Sequence, residues 1–244
     1  MQITIAAQGA LKGEVRLPGD KSISHRAALL GALAEGETEI KGFLLGKDCL
    51  ATLTCLRQLG VTITQQGSTV KIKGVGLQGL KEPETILDCG NSGTTARLLC
   101  GILAGQPFFS VLTGDESLRR RPMGRVIKPL MEMGAQIRGR RGGDLLPLAI
   151  TGGPLQAKRI QTPVASAQLK SAILLAGLFA EGKTVITEPE PSRDHTERML
   201  AAFGAEITTA NSTISIKGQP MLAGCQIQIP GDISSAAYFI VAAS

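Results

Sequence analysis

The sequence contains no tryptophan, one tyrosine and six phenylalanines in 244 residues, so aromatic side chains make up only 3% of it. A chain so poor in rings lacks the platforms on which single-stranded nucleic acid stacks. No apolar run approaches the ~18–20 residues of a membrane span. The longest, residues 172–180, is interrupted by Gly177. Residues 1–10 show neither the basic start nor the apolar stretch of a secretory leader, and no transit peptide, so a cytoplasmic protein outside any membrane is expected. Cys49, Cys55, Cys89, Cys100 and Cys225 form an odd set without a C-x-x-C pair. They read as reduced core thiols rather than as a disulfide framework or a zinc site. The P-loop, nucleophile-elbow and H-E-x-x-H patterns are also missing.

What is present describes a folded protein that meets anions. Hydrophobic residues at 43% and charged residues at 19% suffice for a real core in one large domain or two smaller ones. The excess of 26 Lys and Arg over 20 Asp and Glu, a net +6, favours an anionic partner. With so few rings, a small phosphate ester is a better guess than nucleic acid.

The chain also repeats itself. Ala34-Glu-Gly-Glu-Thr-Glu-Ile40 recurs as Ala180-Glu-Gly-Lys-Thr-Val-Ile186, and Leu59-Gly-Val-Thr-Ile63 recurs as Met133-Gly-Ala-Gln-Ile137 and Phe203-Gly-Ala-Glu-Ile207. Val70-Lys-Ile-Lys-Gly74, Leu148-Ala-Ile-Thr-Gly152 and Ile214-Ser-Ile-Lys-Gly218 close the three units. Elements starting at residues 59, 133 and 203 are spaced more widely than the ~20–50 residues of solenoid repeats, so each unit is a whole supersecondary block. Within a unit, a hydroxyl-rich start leads into an apolar helix (24–34, 94–104, 168–180), then a β-branched strand such as 38–41 or 183–187. A second, amphipathic helix (48–59, 123–133, 194–203) ends at Gly60, Gly134 or Gly204, where a left-handed residue is needed. Two strands finish the block: 61–64 with 70–73, 136–138 with 146–151, and 206–209 with 213–217. The expectation is a pseudo-threefold β-α-β-α-β-β array, in which Arg138-Gly-Arg-Arg-Gly-Gly143 is a hairpin turn rather than an RNA-binding segment. After Gly218 the pattern restarts with strand 227–229 and the helix that follows Pro230-Gly-Asp, which sets the expectation of a piece of a longer chain.

Three helix starts carry the candidate chemistry: Lys21-Ser22-Ile23-Ser24-His25-Arg26, Asn91-Ser92-Gly93-Thr94-Thr95-Ala96-Arg97 and Ser166-Ala167-Gln168-Leu169-Lys170. Each combines free backbone N–H groups, the positive end of a helix and a cation within about one turn, which together make an anion site. Simple capping is the plainer reading of any one of them. Ser22 and Arg26, four apart, share a helical face. Leu118-Arg-Arg-Arg-Pro-Met-Gly124 is the densest positive cluster, stiffened by Pro122. Neither His25 nor His195 has a partner visible in the sequence, and neither is assigned as a base.

Leu17-Pro-Gly-Asp-Lys-Ser-Ile-Ser-His-Arg-Ala27, Asp88-Cys-Gly-Asn-Ser-Gly-Thr-Thr-Ala-Arg97 and Leu112-Thr-Gly-Asp-Glu-Ser-Leu-Arg-Arg-Arg-Pro-Met-Gly124 resemble the signatures of the 5-enolpyruvylshikimate-3-phosphate synthase family. The resemblance implies an α/β fold of the inside-out kind, with two domains of three βαβαββ units each. One domain would span 14–226, in units of about 14–80, 81–155 and 156–226. Residues 1–13 and 227–244 would belong to a second domain. It further implies transfer of the enolpyruvyl group of phosphoenolpyruvate to the 5-hydroxyl of shikimate 3-phosphate, with release of phosphate and without metal or organic cofactor, in the shikimate pathway to the aromatic amino acids.

Residue by residue, the resemblance makes Lys21 catalytic and in touch with both substrates. Ser22, Arg26, Ser166, Ala167, Gln168 and Ser192 would join it around shikimate 3-phosphate. Gly93, Arg121 and Gln168, with Lys21, would hold phosphoenolpyruvate. Ala167 stands where many members carry Ser, and His195 where some carry Tyr. The family's proton-transfer acids would lie beyond residue 244, in a C-terminal part needed for turnover; a complementary C-terminal polypeptide as partner, a deletion, and a remainder simply not in this chain all stay open. Two alternatives are the sister transferase acting on UDP-N-acetylglucosamine, which has Lys-Asn at the Lys21-Ser22 position, and a non-catalytic module binding a phosphate ligand or RNA.

Overall fold

The computed structural model describes residues 13–243; the expectations for residues 1–12 fall outside them. The first unit runs α1 (Lys21–Leu33), β1 (Glu35–Lys41), α2 (Lys47–Gln58), β2 (Thr62–Gln66) and β3 (Thr69–Val75). The second runs β4 (Leu87–Asp88), α3 (Gly93–Ala104), β5 (Phe109–Thr113), α4 (Gly124–Glu132), β6 (Gln136–Gly139), the short turn α5 (Arg140–Gly143) and β7 (Leu145–Thr151). After β8 (Leu155–Gln156), the third has β9 (Arg159–Gln161), α6 (Ala167–Gly177), β10 (Ala180–Glu181), β11 (Lys183–Thr187), α7 (His195–Ala202), β12 (Ile207–Ala210) and β13 (Thr213–Lys217). β14 (Gln226–Gln228) and α8 (Ile233–Ala243) follow.

The three blocks build three four-stranded sheets of one design: β14-β1-β3-β2, β4-β5-β7-β6 and β9-β11-β13-β12. In each, the first pair is parallel and the other two are antiparallel. The first sheet departs from expectation in one respect. The strand parallel to β1 does not precede α1 but arrives from the far end of the described chain, with Ile40 opposite Ile227. β14 thus straddles the expected boundary at 226 and belongs by its pairing to the first unit. The β6–β7 hairpin closes through α5 as expected, with Arg141 at φ 51° and an Arg140–Leu145 bridge.

Sequence explains why the helices lie inside. Beyond their polar first turns α1, α3 and α6 are apolar on all sides and buried, with residues 24–33 of α1 all buried, and such a helix must be wrapped by other elements. The strands alternate buried and exposed residues, as in the Leu145–Thr151 strand, so each sheet covers this helical core with one face and meets water with the other. Gly60, Gly134 and Gly204 turn at φ 86°, 105° and 93°, ending the amphipathic helices as expected. Gly74, Gly152 and Gly218 close the three units for a different reason: a Cβ there would be driven into the carbonyl oxygens of Ala34, Gln106 and Ala180. All five cysteines are free; four are buried and Cys225 is half-buried. Among the described residues no helix is long and apolar enough to cross a membrane.

Candidate functional site

All three helix starts are capped, and the caps fix which side chains remain for a ligand. Asp20 Oδ1 accepts from Ile23 N (2.8 Å), Ser92 Oγ from Thr95 N (3.1 Å) and Ser166 Oγ from Leu169 N (3.4 Å). On α1, Ser24 turns inward, donating to Asp20 O and accepting from Leu44 N. Buried His25 bonds Thr52 Oγ1 through Nδ1 at 2.7 Å. Ser22 and Arg26 are left, on the face their spacing predicts.

They open into a cavity of about 370 Å³ with Thr94, Ala165, Ser166, Ala167, Gln168, Ser192, Arg193 and His195. Six residues marked in the sequence therefore meet at one place, although they come from three separate stretches. Arg26 is 4% exposed. Its Nε donates to Thr196 Oγ1 (2.6 Å), Nη2 to Ser171 Oγ (2.7 Å) and Nη1 to Ser22 O (3.0 Å). Three of its five N–H groups are thus anchored, and the other two remain for an anion. Burial lowers its pKa to about 10, with Glu197 acting the other way, so it is charged at neutral pH. Burial and the nearby Arg26 lower that of His195, which keeps the ring neutral on the cavity wall. A recess with one buried guanidinium, the exposed Arg193 and several hydroxyls suits an oxyanion.

Lys21, Gly93 and Arg121 do not line this cavity. Lys21 Nζ meets Asp48 Oδ2 at 2.5 Å. Gly93 and Arg121 lie beside it, around the start of α3. A Cβ on Gly93 would come within 2.6 Å of Arg97 Nη1 and 3.5 Å of Arg121 Nη1. Gln168 joins the two places, accepting from Arg97 Nη1 (3.2 Å) and donating to Thr94 Oγ1 (2.9 Å). Arg121 is singled out from its neighbours by a relay: Arg121 Nη2 donates to Asn91 Oδ1, and Asn91 Nδ2 to Asp115 Oδ2, each at 2.6 Å. Arg120 pairs with Glu116, and Arg119 is exposed. Burial, Arg125 and Arg121 all lower the pKa of Arg97, so positive charge is concentrated at the start of α3.

Two residues depart from the sequence reading. Lys170, taken there as the cation of the third helix start, points into the core, where its ammonium meets Glu188 and Glu197. Arg193, not assigned in the sequence, lines the cavity; its adjacency to Ser192 was the only signal. Among the described residues, no group of three or more His, Cys, Asp or Glu side chains could hold a metal ion.

Residues 5–244 match the family described as EPSP synthase (3-phosphoshikimate 1-carboxyvinyltransferase). The chain belongs to the EPSP synthase family. It is 60% identical over its whole length to the 3-phosphoshikimate 1-carboxyvinyltransferase of Desulforamulus reducens, and 61% identical over 96% of its length to that of Geobacillus kaustophilus. It spans 57% and 55% of those proteins, a little over half of each. A solved EPSP synthase from Acinetobacter baumannii superposes with a TM-score of 0.91 at 54% identity, covering 95% of this chain and 53% of that one. The family's inside-out α/β fold is the one the three sheets and buried helices display.

Proposed function

We propose that this chain binds shikimate 3-phosphate in the recessed cavity and part of phosphoenolpyruvate beside it, as part of a 3-phosphoshikimate 1-carboxyvinyltransferase. The observation that carries the reading is the meeting of Ser22, Arg26, Ser166, Gln168 and Ser192 around one cavity. Arg26, with two free N–H groups, and the Ser22 and Ser166 hydroxyls bind the phosphate ester. Gln168 stands between the ester's ring and the second anion. Arg121 and the backbone at Gly93 hold the phosphoenolpyruvate phosphate, where a side chain would crowd it. Lys21 exchanges Asp48 for the two bound anions and lies between them.

The reaction adds a ring hydroxyl to C2 of phosphoenolpyruvate, the hydroxyl losing its proton while the methylene carbon gains one; the methyl group so formed then gives up a proton as the C2–O bond to phosphate breaks, which restores the double bond. Two anionic molecules must lie side by side for this. Fixed cations in a water-poor cleft remove their mutual repulsion and stabilise the charge that develops. Residues 14–226, with β14 completing the first sheet, are read as one lobe, and a complementary polypeptide would supply the opposite wall. The same reading takes the protein to be cytoplasmic.

Titration of the 244-residue chain with shikimate 3-phosphate, UDP-N-acetylglucosamine and a short RNA tests this. Saturable shifts of the Ser22, Arg26 and Gln168 amides with shikimate 3-phosphate alone are expected, weakening as salt rises. A response to UDP-N-acetylglucosamine or RNA instead would transfer the assignment to those readings. Silence at millimolar shikimate 3-phosphate would mean that these helix starts are only caps.

A further inference from the structure

Behind the cavity wall lies an ionic cluster that contributes nothing to the cavity's own lining. Lys170, on α6, is 2% exposed at its side chain, as is Glu188, on the turn after β11, at 1%. Lys170 Nζ lies 2.8 Å from Glu188 Oε2 and 2.6 Å from Glu197 Oε1 of α7, and donates to Ser192 O at 3.4 Å. Glu188 in turn accepts from both serine-bearing walls of the cavity. The Ser192 hydroxyl reaches its two oxygens at 2.7 and 3.0 Å, Ser192 N its Oε2 at 3.4 Å, and Ser166 N its Oε1 at 3.2 Å. Burial works to raise the Glu188 pKa, but hydrogen bonds from Lys170 and Ser192 hold it below the usual range, so the carboxylate is ionised at neutral pH.

Two consequences follow from the donor count. Ser192 donates its one hydroxyl proton to Glu188, so toward the cavity it offers lone pairs unless that bond is exchanged. Ser166 uses a lone pair to cap α6 and keeps its hydroxyl proton free for a ligand. The two serines are therefore not equivalent, and the difference originates in Glu188.

We propose that Glu188, clamped by Lys170, is a positioning residue that fixes the Ser166 and Ser192 walls of the cavity from behind and sets the direction of the Ser192 hydroxyl. This rests on the reading of the cavity as a phosphate-ester site. A buried charge pair is not by itself a stabilising device, since well-packed neutral residues often replace one without loss. The bonds to Ser166 and Ser192 give this pair a task that neutral packing could not perform.

The test uses the 244-residue chain and its variants E188Q, S192A and E188Q/S192A, titrated with shikimate 3-phosphate and with inorganic phosphate. Amide hydrogen exchange at Ser166 and Ser192 is followed without ligand. In E188Q we expect both amides to exchange at least tenfold faster and the dissociation constant for shikimate 3-phosphate to rise at least tenfold. We expect S192A to weaken binding about fivefold alone and less than twofold on top of E188Q, because Glu188 acts through Ser192. Additive costs in that cycle would overturn the proposal by reducing Glu188 to a structural residue, as would unchanged exchange at both amides. If the parent chain binds neither probe, the phosphate-ester reading fails, and the exchange data alone decide the positioning role. Should E188Q not fold, the charge-free variant K170M/E188Q/E197Q is measured against the same outcomes.

Discussion

Around the recessed cavity Arg26 is locked by buried bonds, whereas beside it, near the start of α3, Lys21 and Arg121 are held by exposed ones. Arg26 has three protein partners in the interior, and its surroundings are braced by Thr196, Ser171 and the Lys170–Glu188 pair. Arg121 reaches Asn91 and Ser117 at the surface, and Lys21 reaches Asp48 with 48% of its side chain exposed. The first arrangement is preorganised: little rearrangement remains when a ligand arrives. The second holds its cations on partners that a ligand can displace. In this chain the cavity should therefore bind more firmly than its neighbour, and removing a cavity group should cost more.

The largest expected effect is at Arg26. Arg26→Ala takes away the guanidinium donors to Thr196 Oγ1 and Ser171 Oγ, leaving those hydroxyls bonded to each other and to Ala167 O, and opens a space in the interior beside the cavity. Hydrogen bonds from a charged group are worth about 1.5–3 kcal/mol each, and Arg26 makes three, so the denaturant midpoint should fall clearly. Arg26→Lys separates stability from binding. It keeps the charge but loses the fork, and should retain most of the stability while losing at least tenfold in affinity for shikimate 3-phosphate. If Arg26→Lys binds as the parent does, the cavity supplies only diffuse charge, and the contrast between the two regions disappears.

The next effect tests what ties the regions together. His25 on α1 bonds Thr52 on α2, Thr52 bonds Thr95 on α3 at 2.7 Å, and Thr95 donates to Ser92 Oγ at 2.7 Å, linking the helix under the cavity to the helix under its neighbour. Among the described residues His25 Nε2 has no partner, and burial lowers the His25 pKa to about 3. As pH falls from 6.5 toward 3, the unfolded chain takes up a proton at this position that the folded chain refuses, so stability is lost with falling pH. Each pH unit in that window costs about 1.4 kcal/mol, or roughly 2 kcal/mol between pH 6.5 and 5. His25→Gln cannot titrate and can still bond Thr52, so its stability should be flatter by that amount between pH 7 and 5 in parallel denaturant titrations. Parallel acid limbs would show that His25 is not what makes the tie acid-sensitive.

Much of this was legible in the sequence because it is local. The apolar helices, the glycines at their ends and the hairpin at 138–143 all follow from periodicity and turn chemistry within a few residues. Ser22 and Arg26 share a face by helical geometry alone. What was not legible depends on distant partners. A three-residue strand such as β14 carries no mark of which sheet it will complete, so its pairing with β1, nearly the whole chain away, could not be read. Lys170 looked like a helix-start cation because its partners, Glu188 and Glu197, are 18 and 27 residues further on and only the fold brings them to its ammonium. The roles proposed for individual residues rest on the likeness to the family's signatures, because local spacing alone does not assign them.

The smallest effect is the one that separates the neighbouring region from a mere patch of charge. Arg119, Arg120 and Arg121 are consecutive, but only Arg121 is oriented by Asn91 and Asp115 toward Gly93. Exposed pairs of this kind are worth about 0.2–1 kcal/mol. Arg121→Ala should therefore weaken phosphoenolpyruvate binding to this chain by no more than roughly fivefold, and Arg119→Ala by less than twofold. Both should leave the Ser22 and Arg26 amide response to shikimate 3-phosphate in place, because the recessed cavity does not depend on the arginine loop. Amide shifts at Gly93 and Asn91 during a phosphoenolpyruvate titration, at two salt concentrations, measure this directly. Equal losses from the two variants, shrinking together as salt rises, would mean that the arginines act as a common field and that the Asp115–Asn91–Arg121 relay orients nothing. A loss confined to Arg121→Ala and recovered by Arg121→Lys would leave charge at that point, rather than the shape of the guanidinium, as the requirement on the exposed side.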